Sequence, residues 1–219
     1  NLQRMTKSLK NKGIFIVFEG VEGSGKSTQC CLLTHQLERE GINFLHLREP
    51  GDTGTGEKIR EWLRTSSELD GYSELFLLSA SRRALVKNKI IPALTNGQVV
   101  VLDRYIYSTL AYQGFGRGIN IQQINYVNMM ATEGLSPDIT FLLDINPKNS
   151  FQRKPKGTLD RWELENIDFH KKVRNGYLKI SGEDTNLWRV INADKPKESI
   201  SEEVWEIVRS HLRRKLFSD

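Results

Sequence analysis

The chain has 219 residues, 38% of them hydrophobic, and a formal charge of +5. That length allows one large domain or two small ones with a core needing no disulfide or metal staple, and no apolar run approaches the ~20 residues of a membrane span. The basic balance suits a nucleic-acid binder and an enzyme of polyphosphates equally; the basic residues are spread out with no aromatic-interleaved cluster, so charge selects neither.

Residues 1–12, with Arg4, Lys7, Lys10 and Lys12, read as a disordered lead-in or a cloning remnant, and residues 13–219 as one domain. No signal-peptide pattern is visible. Ile14-Phe15-Ile16-Val17-Phe18 is a short apolar run rich in β-branched and aromatic residues, which predicts a strand buried on both faces. Directly behind it, Gly20-x4-Gly25-Lys26-Ser27 matches GxxxxGK[ST] in the strand–loop–helix context that motif requires. Glycines let the backbone turn its N–H groups inward as an anion nest, and the following helix adds its positive end. Lys26 is placed to reach the β- and γ-phosphates, and Ser27 to ligate Mg²⁺. The helix predicted from Lys26 to about Glu40 carries Cys30, Leu33 and Leu37 at helical spacing and stops at Gly41. Cys30 and Cys31, the two cysteines, are adjacent, a poor geometry for a mutual bridge, and fit a reducing compartment.

A second strand is predicted over residues 43–48, followed by the loop Arg48-Glu49-Pro50-Gly51-Asp52-Thr53-Gly54. Helices are predicted over 56–63 and 72–95, with Pro92 bending or ending the second. Residues 98–103 make a third strand, 121–134 a helix, 138–144 a fourth strand, 149–158 a basic loop and 159–181 a long helix. Residues 187–192 give a fifth strand and 199–216 an amphipathic closing helix whose Val204, Ile207, Val208 and Leu212 are core. Strand and helix alternate throughout, so the fold class is α/β, a five-stranded parallel sheet covered by helices on both faces. Ligands then sit beyond the carboxyl ends of the strands, where Glu19, Arg48, Asp103 and Arg104 fall.

Asp103 ends an apolar strand, the placement of a carboxylate that holds Mg²⁺ or its water shell; a turn or cap residue is the plainer reading. Arg48, Arg82 and Arg104 arrive from separate segments and could clamp a second phosphate at a distance from the first nest. The run Gln152-Arg153-Lys154-Pro155-Lys156-Gly157 before Asp160-Arg161 suits a lid over transferring phosphates, or simply a solvated loop. His35, His46, His170 and His211 show no metal-ligand spacing and support no Ser-His-Asp triad.

Five stretches, Phe18 to Thr28, Arg48-Glu49-Pro50-Gly51, Asp103-Arg104-Tyr105, Ser108-Thr109-Leu110-Ala111-Tyr112-Gln113-Gly114 and Leu159-Asp160-Arg161-Trp162-Glu163, resemble the thymidylate kinase family in its bacterial form. The phosphate loop is widely shared among NTPases; the others, in this order and spacing, are more specific. The resemblance implies a P-loop nucleoside monophosphate kinase fold, ATP-dependent phosphorylation of dTMP to dTDP with Mg²⁺, and a cytoplasmic homodimer with neither nucleic acid nor a membrane as partner. It places Gly20, Glu22, Gly23, Ser24, Gly25, Lys26, Ser27 and Thr28 on ATP, and Ser27, Asp103 and Glu19 in the metal network. Glu22 meets the sugar 3′-hydroxyl, and Arg48, Arg82 and Arg104 the acceptor phosphate. Thr109 and Gln113 meet the thymine edge, and Tyr112 takes the space of a ribose 2′-hydroxyl. Pro50, Leu78 and Ser108 complete the acceptor pocket. Lys26, Asp103, Arg104 and, in a lid over about 149–161, Arg153 and Lys156 form the catalytic set.

Three positions depart from the family's habit. Leu78 stands where an aromatic usually meets thymine, so thymine rests on an aliphatic surface or the register differs; Phe76 falls on the wrong helix face. Asp52 follows Pro50-Gly51 where a second glycine is common, adding negative charge near the acceptor phosphate. Lys154 and Lys156 stand in the lid where arginines are frequent, and lysine makes no bidentate contact. The alternatives are a kinase of the same fold with another nucleotide or nucleoside acceptor, a basic ATP-binding protein that engages nucleic acid, and a member that has lost catalysis.

Overall fold

A computed structural model of the chain describes residues 13–66, 68–153 and 165–216. Among them, five strands form one parallel sheet: β1 (Ile14–Glu19), β2 (Phe44–Arg48), β3 (Val99–Asp103), β4 (Ile139–Asp144) and β5 (Trp188–Asn192), in spatial order β2-β3-β1-β4-β5. Side chains alternate across a strand, and the burial follows. Ile14, Ile16 and Phe18 join Val99 and Val101 in one core layer, while Phe15 and Val17 join Val100 and Leu102 in the other. The apolar run of β1 is thus fully buried on both faces, as its composition predicts.

The first layer is covered by α1 (Lys26–Arg39), α8 (Ile167–Glu183) and α9 (Lys197–Leu216), which contribute Leu33, Leu37, Val173, Tyr177, Val204 and Val208. The second is covered by the end of α3 (Gly71–Leu85) and by α4 (Ile91–Thr95), through Leu85, Ala93 and Leu94. Each fully buried aliphatic or aromatic side chain contributes roughly 1.5–3 kcal/mol. The remaining helices are α2 (Gly54–Thr65), α5 (Ile106–Thr109), α6 (Ile121–Thr132) and α7 (Pro147–Gln152).

Register puts the chemistry on one edge. Phe18 and Arg48 both pair with Asp103, so the carboxyl ends of β1, β2 and β3 finish at one level. Side-chain caps move helix starts away from the sequence reading. Thr53 caps the Gly56 N–H, starting α2 at Gly54, and Asn166 caps that of Phe169, so α8 begins at Ile167 and not at residue 159. The basic loop expected over 149–158 contains, in its described part, the end of α7, capped by Asn146.

Two segments widen into π-helix. Val86–Ile90 widens just before Pro92, whose ring would crowd the Asn88 carbonyl in a regular α-helix. Leu110–Gly116 widens directly after α5 and carries Tyr112 and Gln113. Sequence reading assigned no element there, because a π-turn leaves no periodic signature of its own.

Candidate active site

α1 starts without a side-chain cap: its N-cap is Gly25, in the left-handed region at φ 93, so its first-turn N–H groups face the loop. A Cβ on Gly25 would meet nothing within 4 Å, which leaves the cradle open. Gly23, at φ 71, is closed instead: a Cβ there would lie 2.5 Å from the Ser150 carbonyl of α7. Lys26 donates to the Val21 carbonyl at 2.8 Å and to Ser24 Oγ at 3.4 Å. Burial, aided by the Arg104 charge, brings its ammonium down to about 8 against the pull of Asp103, Glu22 and Glu19. Gly23, Ser24, Gly25, Lys26, Ser27 and Thr28 line a cleft of about 1080 Å³ that Arg153, Lys195 and Lys197 enter from other elements.

Ser27 Oγ donates to Asp103 Oδ2 at 2.5 Å. The other oxygen, Asp103 Oδ1, is buried with no hydrogen-bond partner among the described residues. One carboxylate and one hydroxyl beside a phosphate nest fit Mg²⁺, which keeps several waters and takes further ligands from phosphate oxygens. Among the described residues no three His, Cys, Asp or Glu side chains could hold a metal by themselves.

Glu19, expected in that metal set, is engaged elsewhere. It is fully buried and accepts from the Tyr105 N–H at 2.9 Å, the Ser108 N–H at 3.1 Å, Ser108 Oγ at 2.6 Å and Tyr177 OH at 2.9 Å. Burial raises its pKa, with Ser108, Arg104, Tyr105 and Tyr177 opposing. Its structural task is to hold the turn after β3. There Arg104 sits at φ 73, a left-handed conformation costing a non-glycine residue about 1–3 kcal/mol. The bond from its N–H to the Phe18 carbonyl, 2.9 Å, helps hold the turn.

That backbone aims the Arg104 guanidinium back at the loop. Nη1 donates to the Gly20 carbonyl at 3.2 Å, and Nη2 to Glu22 Oε1 at 2.7 Å. Tyr112 OH donates to Glu22 Oε2, and its ring lies 5.2 Å from the guanidinium carbon. Burial works against the Glu22 carboxylate, yet Arg104, Lys26 and Tyr112 hold its pKa below the usual value.

Glu22, Arg104, Ser108 and Tyr112 line a second cavity of about 410 Å³ together with Glu49, Pro50, Leu78, Arg82, Thr109 and Gln113. The phosphate loop is therefore the wall between two clefts: Gly23 onward faces one and Glu22 the other. Arg82, 2% exposed, donates to Glu49 Oε2 at 2.7 Å, Thr109 Oγ1 at 2.8 Å, Asn128 Oδ1 at 2.7 Å and the Tyr105 carbonyl at 3.0 Å. A guanidinium has five N–H donors, so one Nη2 hydrogen remains. Burial pushes the Glu49 carboxyl up to about 7 although Arg82 pulls the other way, and its Oε1 has no partner among the described residues.

The structure thus brings together nearly all the residues expected around the acceptor. Arg48 is the exception. It ends β2, but its guanidinium lies half-exposed against Glu57 at 3.3 Å and Asp52 at 4.0 Å, and it does not line the cavity. Asp52 is turned toward the backbone, accepting from the Arg48 N–H at 2.6 Å. Leu78 lines the cavity, and Phe76 is on the outer face, 58% exposed. Arg153 donates to the Ala193 carbonyl at 2.7 Å and pairs with Asp194. Lys154, Lys156, Asp160, Arg161, Trp162 and Glu163 lie outside the described residues. Sequence reasoning gave no role to Tyr177, Glu49 or Lys195. Glu49 stood inside a quoted motif, whereas Tyr177 is one aromatic of an ordinary amphipathic helix and carried no signal.

The sequence model of the family described as thymidylate kinase matches residues 18–204. A thymidylate kinase of Thermoanaerobacter sp. (strain X514) is 40% identical over 202 residues, covering 92% of this chain and all of its own. One of Caldanaerobacter subterraneus is 41% identical, over 92% of this chain and 98% of its own. The crystal structure of thymidylate kinase from Ehrlichia chaffeensis superposes with a TM-score of 0.75 at 32% identity, over 90% of this chain and 99% of that one. With the phosphate loop, the Asp103-Arg104 turn and the second cavity in place, this chain belongs to the thymidylate kinase family.

Proposed function

We infer that this chain transfers the γ-phosphoryl group of ATP to dTMP, giving dTDP and ADP. The observation that carries the reading is the pair of clefts on either side of one loop, with backbone amides and Lys26 in one and Arg104, Arg82 and Gln113 in the other. An acceptor phosphate oxygen attacks the γ-phosphorus as the bond to the bridging oxygen of ADP breaks; such transfer depends on positioning and charge stabilisation. Lys26 and the loop N–H groups hold the donor phosphates. Arg104, fixed by Glu22 and the Gly20 carbonyl, stands between donor and acceptor. Mg²⁺, held by Ser27 and Asp103, would supply charge neutralisation to the transferring group. Arg153 and Lys156 are assigned to the lid, of which only residues up to 153 are described.

In the acceptor cavity Leu78 gives the base an aliphatic floor and Tyr112 blocks a 2′-hydroxyl. Arg82, expected on the acceptor phosphate, has four of its five donors taken by the protein, and its spare donor, with the Gln113 carbonyl oxygen, suits a thymine edge instead. Glu22 takes the 3′-hydroxyl. We assign the chain to the cytoplasm as a homodimer without nucleic-acid or membrane partners. In support of the dimer, α2 packs on α3 and α3 on α6, and these helices expose Trp62, Phe76, Tyr126, Met129 and Met130. Tyr126→Glu with Met130→Glu should convert the protein to a monomer by light scattering.

The test is an acceptor panel of dTMP, dUMP, dCMP and UMP with ATP and Mg²⁺, following diphosphate formation directly. dTDP is expected as the main product. Preference for dCMP or dUMP, or ATP hydrolysis without an acceptor product, would overturn the assignment.

A further inference from the structure

Gln113 presents an ambiguity that its surroundings remove. A primary amide has a donor end and an acceptor end of nearly equal size, and a base-reading site is only as selective as the fixity of that choice. Gln113 is 1% exposed and sits in the widened Leu110–Gly116 segment. Its Nε2 donates to Glu74 Oε2 at 2.9 Å, and its Oε1 is buried without a hydrogen-bond partner among the described residues while the residue lines the acceptor cavity.

Glu74 comes from the first turn of α3 and is 0% exposed. Its carboxylate faces the Arg117 guanidinium, with Nη2 at 3.1 Å from Oε1 and Nε at 3.4 Å from Oε2. A carboxylate paired with a guanidinium has only acceptors to offer. Reversing the Gln113 amide would set its carbonyl oxygen against that carboxylate, inside the protein. Arg117 is itself fixed: Nη1 reaches Glu165 Oε1 at 2.5 Å, and the guanidinium lies 4.9 Å over the Phe169 ring at the start of α8.

We propose that Glu74 is a positioning residue for base selection: by taking the amide NH₂ of Gln113 it turns the carbonyl oxygen into the acceptor cavity, so that the site accepts from an imide N–H and rejects a pyrimidine with a lone pair there. This rests on the dTMP kinase reading. Thymine and uracil carry a hydrogen on N3; cytosine carries a lone pair at that atom, which would face the Gln113 oxygen. Glu74 makes this choice without touching the substrate.

Glu74→Gln tests it. The substituted amide can donate or accept, so Gln113 is free to reverse and offer its NH₂ to cytosine N3. The expected result is a fall of about tenfold or more in the ratio of kcat/KM for dTMP to that for dCMP, through a higher KM for dTMP and a lower one for dCMP, with the KM for ATP unchanged. A uniform loss on both acceptors at a constant ratio would mean that Glu74 serves only the fold, and would overturn the inference. Should Glu74→Gln not fold, Glu74→Asp keeps the charge but falls a methylene short of Gln113; it should lower the ratio several-fold, and an unchanged ratio overturns the inference equally. The wild type, measured first, separates the two layers of argument. No preference for dTMP over dCMP would sink the parent reading, whereas a preference that survives Glu74→Gln sinks only the role of Glu74.

Discussion

Lys26→Met should make the ligand-free protein more stable at neutral pH while removing catalysis. Lys26 is buried, and its ammonium titrates at about 8, against an ordinary 10.5. At 1.36 kcal/mol per pKa step, the fold disfavours the charged side chain by about 3 kcal/mol. Methionine removes that cost but leaves the Val21 carbonyl without its 2.8 Å partner, a loss of about 1–3 kcal/mol. The net expectation at pH 7 is a gain of about 1 kcal/mol, or roughly 2–4 °C in Tm for a chain of this length.

The pH dependence has a definite sign. Below pH 8 Lys26 carries its proton in both folded and unfolded chains, and the full cost is present. Between about 8 and 10.5 the folded protein has released the proton that the unfolded chain still holds, so the wild type gains stability relative to the variant as pH rises. By pH 9.5 that gain reaches about 2 kcal/mol, enough to reverse the order of the two proteins. Urea titrations of both at pH 7 and 9.5 measure it, and dTDP formation measures the loss of transfer, expected to exceed about a hundredfold. A stability difference independent of pH, or near wild-type turnover, would refute the reasoning.

Asp103→Asn keeps the bond to Ser27 but replaces the unpartnered oxygen's charge; the Mg²⁺ concentration for half-maximal turnover should rise about tenfold, read from a magnesium titration. Tyr112→Ala opens the space beside Glu22 and Arg104, and relative activity on the ribose form of TMP should increase; an unchanged ratio in competition assays would contradict the assignment. Gly23→Ala puts a methyl 2.5 Å from the Ser150 carbonyl at a positive φ, so it should destabilise the protein by about 1–3 kcal/mol in urea titrations and weaken ATP binding.

Much of this molecule was legible in the sequence because two periodicities are hard to disguise. The apolar runs of β1 and β3 could only be strands buried on both faces, and the alternation of strand with helix fixed a parallel sheet and hence the edge where ligands gather. The phosphate loop and Asp103 followed from that edge. What stayed hidden depended on side-chain caps and long-range pairing. Asn166 caps the first turn of α8 and starts that helix at Ile167, and Thr53 starts α2 earlier than composition suggests. The resemblance set Glu19 in the metal network; only the folded chain brings Tyr105, Ser108 and Tyr177 to its oxygens. Arg48 has the right strand end, yet Glu57 on α2, nine residues on, captures its guanidinium. The Glu74–Gln113 pair joins residues 39 positions apart through a π-turn, which no local pattern announces.

The central claim is that the two clefts face one another across the loop closely enough for direct transfer. A single ligand joining adenosine to thymidine through five phosphates tests it by calorimetry, because tethering turns the second binding event into an intramolecular one. The account predicts that this ligand binds at least a hundredfold more tightly than ATP or dTMP alone, and that Lys26→Met and Arg104→Ala each remove most of the gain. Affinity no better than that of ATP, insensitive to Arg104, would show that the clefts do not share a reaction path.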